Sequence, residues 1–290
     1  VPRGECLEVG LDAGATSRIR SGNGQRDLPC LLCHLTPESM ALLSTIRDLH
    51  RRKARERRGL ALAEGVRLVE EMLAAGVVCK GAVVGPTLEA TPRGAALLQS
   101  LQDAGVVVEH LSDEQLDEVA ATEQPQGIVA VYQPRHWTLD AMIAVPKKPV
   151  VILDGVQDPG NVGTIARTAL AFGAAGIVAL PGTVDLTNPK VVRAAMGALF
   201  LVPHLHADDV ATFAWLKQHH VAPWATSMDG EPLGAAPAGP IALLLGNEGA
   251  GLRPELVVHA EKRVAIPIAP EAESLNVAIA AGILLYQVTR

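Results

Sequence analysis

Three short polar blocks, each placed directly after an apolar run, carry the residue types that could do chemistry. The first is Asp154-Gly155-Val156-Gln157-Asp158-Pro159-Gly160-Asn161-Val162-Gly163-Thr164-Ile165-Ala166-Arg167. Pro159-Gly160 turns the chain, and Asn161 is placed to cap a following helix. Arg167 lies nearly two turns further on, between Ala166 and Ala169, and those small neighbours argue against a free surface position. The second block, Gly246-Asn247-Glu248-Gly249-Ala250-Gly251, has three glycines in six residues. Glycine lets a backbone turn sharply or approach a ligand closely, and a carboxylate between glycines can pair with an arginine or hold a ligand hydroxyl. The third is Val264-Ala265-Ile266-Pro267-Ile268 followed by Glu273-Ser274-Leu275-Asn276. Ser274 can cap the last helix, with Asn276 in its first turn, where backbone N–H groups are free. Together the blocks supply amide, guanidinium, carboxylate and hydroxyl groups. The glycine spacing is not that of a Rossmann dinucleotide loop, and no Walker A loop occurs.

A fourth signal is electrostatic. Arg47, Arg51, Arg52, Lys53, Arg55, Arg57 and Arg58 crowd one stretch, against Asp48 and Glu56. The whole chain is acidic, with 25 Lys+Arg against 31 Asp+Glu and a formal net charge of -6. A concentrated basic stretch in such a chain points to local phosphate contact rather than to a nucleic-acid coat. Arg47, Arg51, Arg52, Lys53 and Arg55 are the candidate contacts. Aromatic residues are only 3% of the chain, which argues against RNA modules built on stacking platforms.

The elements that must position these groups follow from the pattern of apolar residues. At 290 residues and 49% hydrophobic, the chain is long enough for two domains and wholesale disorder is excluded. Residues 1–41 carry no sustained period and read as a disordered or cloning-derived extension. From about Leu42 the pattern is ordered: helical spacing over Leu60–Leu73, apolar runs at Val77–Val84 and Val106–Val108, helices over Gly94–Ala104 and Asp113–Ala121, and a strand over Gly127–Tyr132. This predicts a small α/β domain over 42–133. Residues 134–148, with Pro134, Pro146, Lys147 and Lys148, form a linker.

Over 149–290 the pattern resets. Strands are expected at Val150–Leu153, Gly176–Leu180, Ala222–Thr226, Ile241–Leu245 and Val264–Ile266, and helices at Asn161–Phe172 and Pro189–Leu199 and from about Ser274. Strands alternating with helices imply a mostly parallel sheet covered on both faces. In such sheets ligands sit beyond the carboxyl ends of the strands, where all three blocks fall. No apolar stretch reaches the ~18 residues a membrane helix needs, and no secretory signal is visible. Cys30-Leu31-Leu32-Cys33-His34 has the spacing of a haem attachment site, but with Cys6 and Cys79 it reads as incidental thiols of a cytoplasmic protein. No metal set is expected.

The three blocks, in this order, resemble the SpoU family of RNA 2′-O-ribose methyltransferases within the SPOUT superfamily. The segment from about Ile46 to Tyr132 is similar to that family's N-terminal substrate-binding domain, of ribosomal-protein L30-like type. There Glu64-Gly65-Val66-Arg67 and Thr122-Glu123-Gln124-Pro125-Gln126-Gly127-Ile128-Val129-Ala130 match its pattern. One departure is Ala195, where many relatives carry Ser. The resemblance implies a trefoil-knotted C-terminal α/β domain, a homodimer through it, and S-adenosylmethionine bound by Thr226, Gly246, Asn247, Ile266 and Leu275. It further implies methyl transfer to a ribose 2′-OH, with Arg167 activating that hydroxyl, assisted by a substrate phosphate. Asn161 would orient the nucleotide and Glu248 would hold Arg167, while Ser274 and Asn276 complete the pocket. An arginine normally stays protonated, so it polarises rather than acts as a simple base. The expected partner is RNA, ribosomal rather than transfer RNA, with neither DNA nor membrane. The alternatives are a transfer-RNA enzyme, an idle RNA-binding protein of the same fold, and a base-nitrogen methyltransferase of another branch.

Overall fold

The computed structural model describes residues 37–121, 126–234 and 237–290. Cys6, Cys30, Cys33 and His34, most of the expected 1–41 extension, and Thr122–Pro125 of the matched pattern lie outside these residues. The first unit runs α1 (Pro37–Leu49), α2 (Arg52–Arg58), β1 (Ala61–Glu64), α3 (Val66–Ala74) and β2 (Cys79–Val84). It continues through α4 (Pro86–Glu89), α5 (Pro92–Asp103), β3 (Val108–His110), α6 (Asp113–Asp117) and β4 (Ile128–Tyr132). Its four strands lie in the order β1-β4-β2-β3. The expected helical segment Leu60–Leu73 is in fact a strand followed by a helix. Ala61–Glu64 is buried throughout, so it shows no strand alternation, and Gly65 at φ 99 separates it from α3. Only glycine adopts that backbone readily.

The second unit runs β5 (Val150–Leu153), α7 (Pro159–Ala171), β6 (Gly176–Ala179), α8 (Pro189–Ala194), β7 (His204–His206) and α9 (Asp209–Gln218). It closes with β8 (Ala222–Pro232), β9 (Ile241–Leu245), α10 (Pro254–Val257), β10 (Lys262–Ala265) and α11 (Val277–Val288). Six strands form one sheet in the order β10-β8-β9-β5-β6-β7, and every pairing in it is parallel. This agrees with the expected α/β class. Both faces are covered, because alternate residues of β5 enter different cores: Val151 and Leu153 in one, Val150 and Ile152 in the other.

Several boundaries differ from expectation for local reasons. Asp158, not Asn161, caps α7, accepting the Asn161 N–H at 2.8 Å. Asn276, not Ser274, caps α11, accepting the Ala278 and Ile279 N–H groups at 2.9 and 3.3 Å. The expected helix Pro189–Leu199 stops at Ala194, and Met196 and Gly197 take positive φ before a short 3-10 turn. β7 and α9 were not foreseen; β7 has only three residues, two of them histidine.

The two units share one apolar core. Leu68, Val69 and Met72 of α3 belong to the same cluster as Val191, Ala195, Leu199 and Phe200, and Tyr132 meets Phe200 edge-on at 5.3 Å. Gly163 marks the close contact of α7 with α8: a Cβ there would lie 2.4 Å from the Ala194 Cβ and 2.8 Å from the Ala195 nitrogen. Ala195 itself is fully buried.

Candidate active site

The three blocks converge at the carboxyl ends of β5, β9 and β10. β5 and β9 pair in register up to Leu153 opposite Leu245, so Asp154-Gly155 and Gly246-Asn247 leave the sheet side by side. Asn247 Nδ2 donates to the Gly155 carbonyl at 2.8 Å, and its Oδ1 accepts the Gly249 and Ala250 N–H groups at 3.0 Å each. One asparagine thereby folds its own loop and ties it to the neighbouring strand. Gly246 is obligatory here, since a Cβ would come within 2.3 Å of the Gly251 carbonyl carbon and of the Leu252 nitrogen.

A chain of side-chain hydrogen bonds links all three blocks. Asn276 Nδ2 donates to Asn161 Oδ1 at 2.9 Å, and Asn161 Nδ2 donates to Glu248 Oε1 at 3.0 Å. Glu248 also faces the backbone N–H groups of Gln157 and Asp158, at 3.5 and 3.4 Å. Burial tends to raise its carboxyl, but Asn161 and these N–H groups outweigh burial and hold it below the usual carboxylate range. Glu248 is thus an anion at neutral pH.

Arg167 departs from expectation in two ways. It is exposed on α7, and Glu248 is bound to Asn161 rather than to it. Among the described residues Arg167 has no ion pair, which leaves its guanidinium free for an external anion.

Beside this relay lies a cavity of about 400 Å³. Its walls include Thr226, Gly246, Asn247, Ile266, Ser274 and Leu275, so every expected cofactor residue lines one space. Leu245, Val264, Ile268 and Leu284 add an apolar wall. The Thr226 hydroxyl is engaged, donating to the Leu244 carbonyl at 2.8 Å. The volume and the mixture of apolar wall with backbone groups suit a drug-sized ligand. Among the described residues no cluster of three His, Cys, Asp or Glu could hold a metal. No helix there is long and apolar enough to cross a membrane.

Sequence reasoning missed one clamp. Asp154 is 2% exposed and accepts the Arg253 backbone N–H at 2.8 Å and its Nε at 2.6 Å. The same guanidinium grips Asp209 through two bonds of 3.0 and 2.9 Å. These bonds, the Asp209 pair above all, hold the arginine charged. The clamp fixes the far end of the glycine loop against β5. The buried carboxylate after an apolar strand was the only hint in the sequence.

The basic stretch divides on folding. Arg47, Arg51, Arg52 and Lys53 are exposed. Arg47 pairs with Glu118 at 3.0 Å, Arg52 with Glu56 at 2.7 Å, and Arg51 and Arg58 with Asp48. Exposed pairs such as Arg47–Glu118 and Arg52–Glu56 contribute little to stability. Arg55 is a correction: it is 4% exposed and bound to Asp185 at 2.6 and 3.0 Å. It also donates to the Leu49 and His50 carbonyls at 2.8 and 3.0 Å. Its donors are taken up within the protein, where they join the two units.

Fold and site together define a ligand-binding α/β protein of the parallel-sheet type, preceded by a smaller α/β unit. A model of the SpoU rRNA methylase family matches residues 148–286, and one of an MRM3-like substrate-binding domain matches residues 43–130. The chain is 35% identical to the 23S rRNA (guanosine(2553)-2′-O)-methyltransferase RlmP of Bacillus subtilis, over 83% of this chain and 92% of that one. Its fold matches the crystal structure of an AdoMet-bound rRNA methyltransferase from Sinorhizobium meliloti, with TM-score 0.77, 32% identity, and coverage of 88% and 96%. It also matches the SpoU methyltransferase AviRb of Streptomyces viridochromogenes in complex with AdoMet, with TM-score 0.77, 28% identity, and coverage of 86% and 97%. The chain belongs to the SpoU rRNA methylase family.

Proposed function

We propose that the protein transfers a methyl group from S-adenosylmethionine to a ribose 2′-oxygen of ribosomal RNA. The observation that carries this reading is the convergence of Asn161, Glu248 and Asn276 into one hydrogen-bonded chain, of which Glu248 lines the 400 Å³ cavity. S-adenosylmethionine, when bound, supplies an electrophilic methyl group. Thr226, Gly246, Asn247, Ile266, Ser274 and Leu275 would hold it, with the adenine against the apolar wall. Glu248 and Asn276 fix the Asn161 amide, which is positioned to orient the target nucleotide. The free Arg167 guanidinium engages a substrate phosphate and polarises the 2′-hydroxyl, and that phosphate takes the hydroxyl proton as the new oxygen–carbon bond forms. The 2′-hydroxyl is also what distinguishes RNA from DNA.

In this reading residues 42–133 bind RNA, 134–148 connect, and 149–290 carry the chemistry in a knotted chain path. The exposed cations Arg47, Arg51, Arg52 and Lys53 receive phosphates. A second copy of the chain packs on α11. Support for this is its apolar outer strip, Ile279, Ile283 and Tyr286, at 57, 36 and 40% exposure, next to the 40% exposed Leu170 of α7. In this reading the protein works in the cytoplasm, where it meets its ribosomal RNA. The test is incubation with tritiated S-adenosylmethionine and unmodified 23S rRNA transcript, followed by mapping of alkali-resistant 2′-O-methyl positions. Label at a single ribose supports the reading, and label on a base nitrogen refutes it.

A further inference from the structure

A second cavity, of about 330 Å³, opens where the two units meet. Trp137 and Arg135 line it from the connecting segment, Arg52 from α2, and His204 and His206 from β7, with the Arg55–Asp185 pair at its base. A short run of chain ties it to the active site. The Thr183 hydroxyl donates to the Leu153 carbonyl at 2.9 Å and accepts the Gly155 N–H at 3.1 Å. The Val184 N–H then reaches the Val156 carbonyl at 3.0 Å. Asp185, Leu186 and Thr187, the next residues along the chain, line the second cavity. A polymer lying along the carboxyl edge of the sheet meets both.

The lining suits a nucleotide. The Trp137 indole N–H is screened from solvent and has no acceptor among the described residues. The Arg135 guanidinium carbon lies 5.9 Å from the Trp137 ring centroid. His206 Nε2 accepts the Leu186 N–H at 3.2 Å, so its Nδ1 carries the hydrogen. His204 Nδ1 faces the Val202 carbonyl at 2.9 Å, so its Nε2 is an acceptor. One imidazole donor and one imidazole acceptor, with an indole, can read a base edge and stack its face. Arg52, held only by an exposed pair with Glu56, can turn to a phosphate.

We propose that this cavity is a second nucleotide subsite, which takes a nucleotide of the same RNA near the methylated one and stacks its base on Trp137. The proposal rests on the ribose-methyltransferase reading. The test uses a Trp215→Phe/Trp224→Phe protein, in which Trp137 is the sole tryptophan, with excitation selective for tryptophan. Unmodified 23S rRNA transcript should quench its emission saturably, and the four nucleoside monophosphates should not at equal nucleotide concentration. In the otherwise native protein, Trp137→Ala should raise KM for the transcript about tenfold, the order expected for one lost stacked base. Both kcat and the S-adenosylmethionine Kd should stay within about twofold. Trp137→Phe, which keeps a ring in place, should recover most of the KM. Unchanged emission with the transcript overturns the proposal, as does quenching by a free monophosphate alone. Loss of kcat without a change of KM also overturns it. Absent methyl transfer by the wild type would refute the parent reading, while the fluorescence result still decides the subsite.

Discussion

Arg55→Met tests whether the basic stretch serves RNA or the fold at that position. The substitution keeps a long apolar stem and removes a guanidinium that makes bonds of 2.6 and 3.0 Å to Asp185. Asp185 is 9% exposed and would be left as a buried carboxylate without its counter-charge. Breaking such a pair by removing one partner costs about 3–5 kcal/mol. Here the lower end applies, because Thr187 still donates to Asp185 from its backbone N–H and its hydroxyl, at 2.9 and 2.8 Å. For a chain of this length, about 3 kcal/mol corresponds to a fall in Tm of roughly 6–12 °C. Differential scanning calorimetry at neutral pH reads that shift. Adding Asp185→Asn should restore part of it, since the unpaired charge is then gone. The loss should also depend on pH. Burial acts to raise the Asp185 carboxyl, while Arg55 and Thr187 outweigh burial and hold it below its ordinary 3.8. The pair's stabilisation is therefore complete above the unfolded-chain value and disappears as pH falls through the lower folded value. An Arg55→Met protein that melts within a degree of wild type, yet shows a salt dependence of RNA binding shallower by about one phosphate contact, would refute the structural role.

Arg167→Ala should lower methyl transfer about 10²–10⁴-fold, the range for loss of assisted proton removal, with S-adenosylmethionine binding by calorimetry unchanged within twofold. Near-normal turnover would remove Arg167 from the chemistry. Arg51→Ala/Arg52→Ala should make the slope of log K against log salt shallower by about 1.4–1.8, as expected for two phosphate contacts; filter binding across a salt series checks this. Gly246→Ala must displace the Gly251–Leu252 backbone, 2.3 Å from the new Cβ. It should cost about 1–3 kcal/mol of stability and weaken S-adenosylmethionine binding at least tenfold, with RNA affinity retained.

Local signals in the sequence were sufficient for most of the alternation of strands and helices over 149–290, β7 and α9 excepted, and for the three polar blocks at strand ends. Each rests on short-range physics: apolar strands bury on both faces, glycines permit the 246–251 turn, and an Asx or Ser side chain marks a helix start. Even there the cap positions slipped, from Asn161 to Asp158 and from Ser274 to Asn276, because several capping residues stand next to one another. What tertiary structure alone decided is which polar group meets which. Asn161 reaches Glu248 across 87 positions and Asn276 across 115, and Arg55 reaches Asp185 across 130. Such pairings depend on which strands lie side by side in the parallel sheet, and strand order carries no local periodicity. The basic stretch shows the difference most sharply. Its composition announced charge, but only the packing of α2 against the second unit separated one buried structural arginine from its exposed neighbours, since burial is a property of the whole chain.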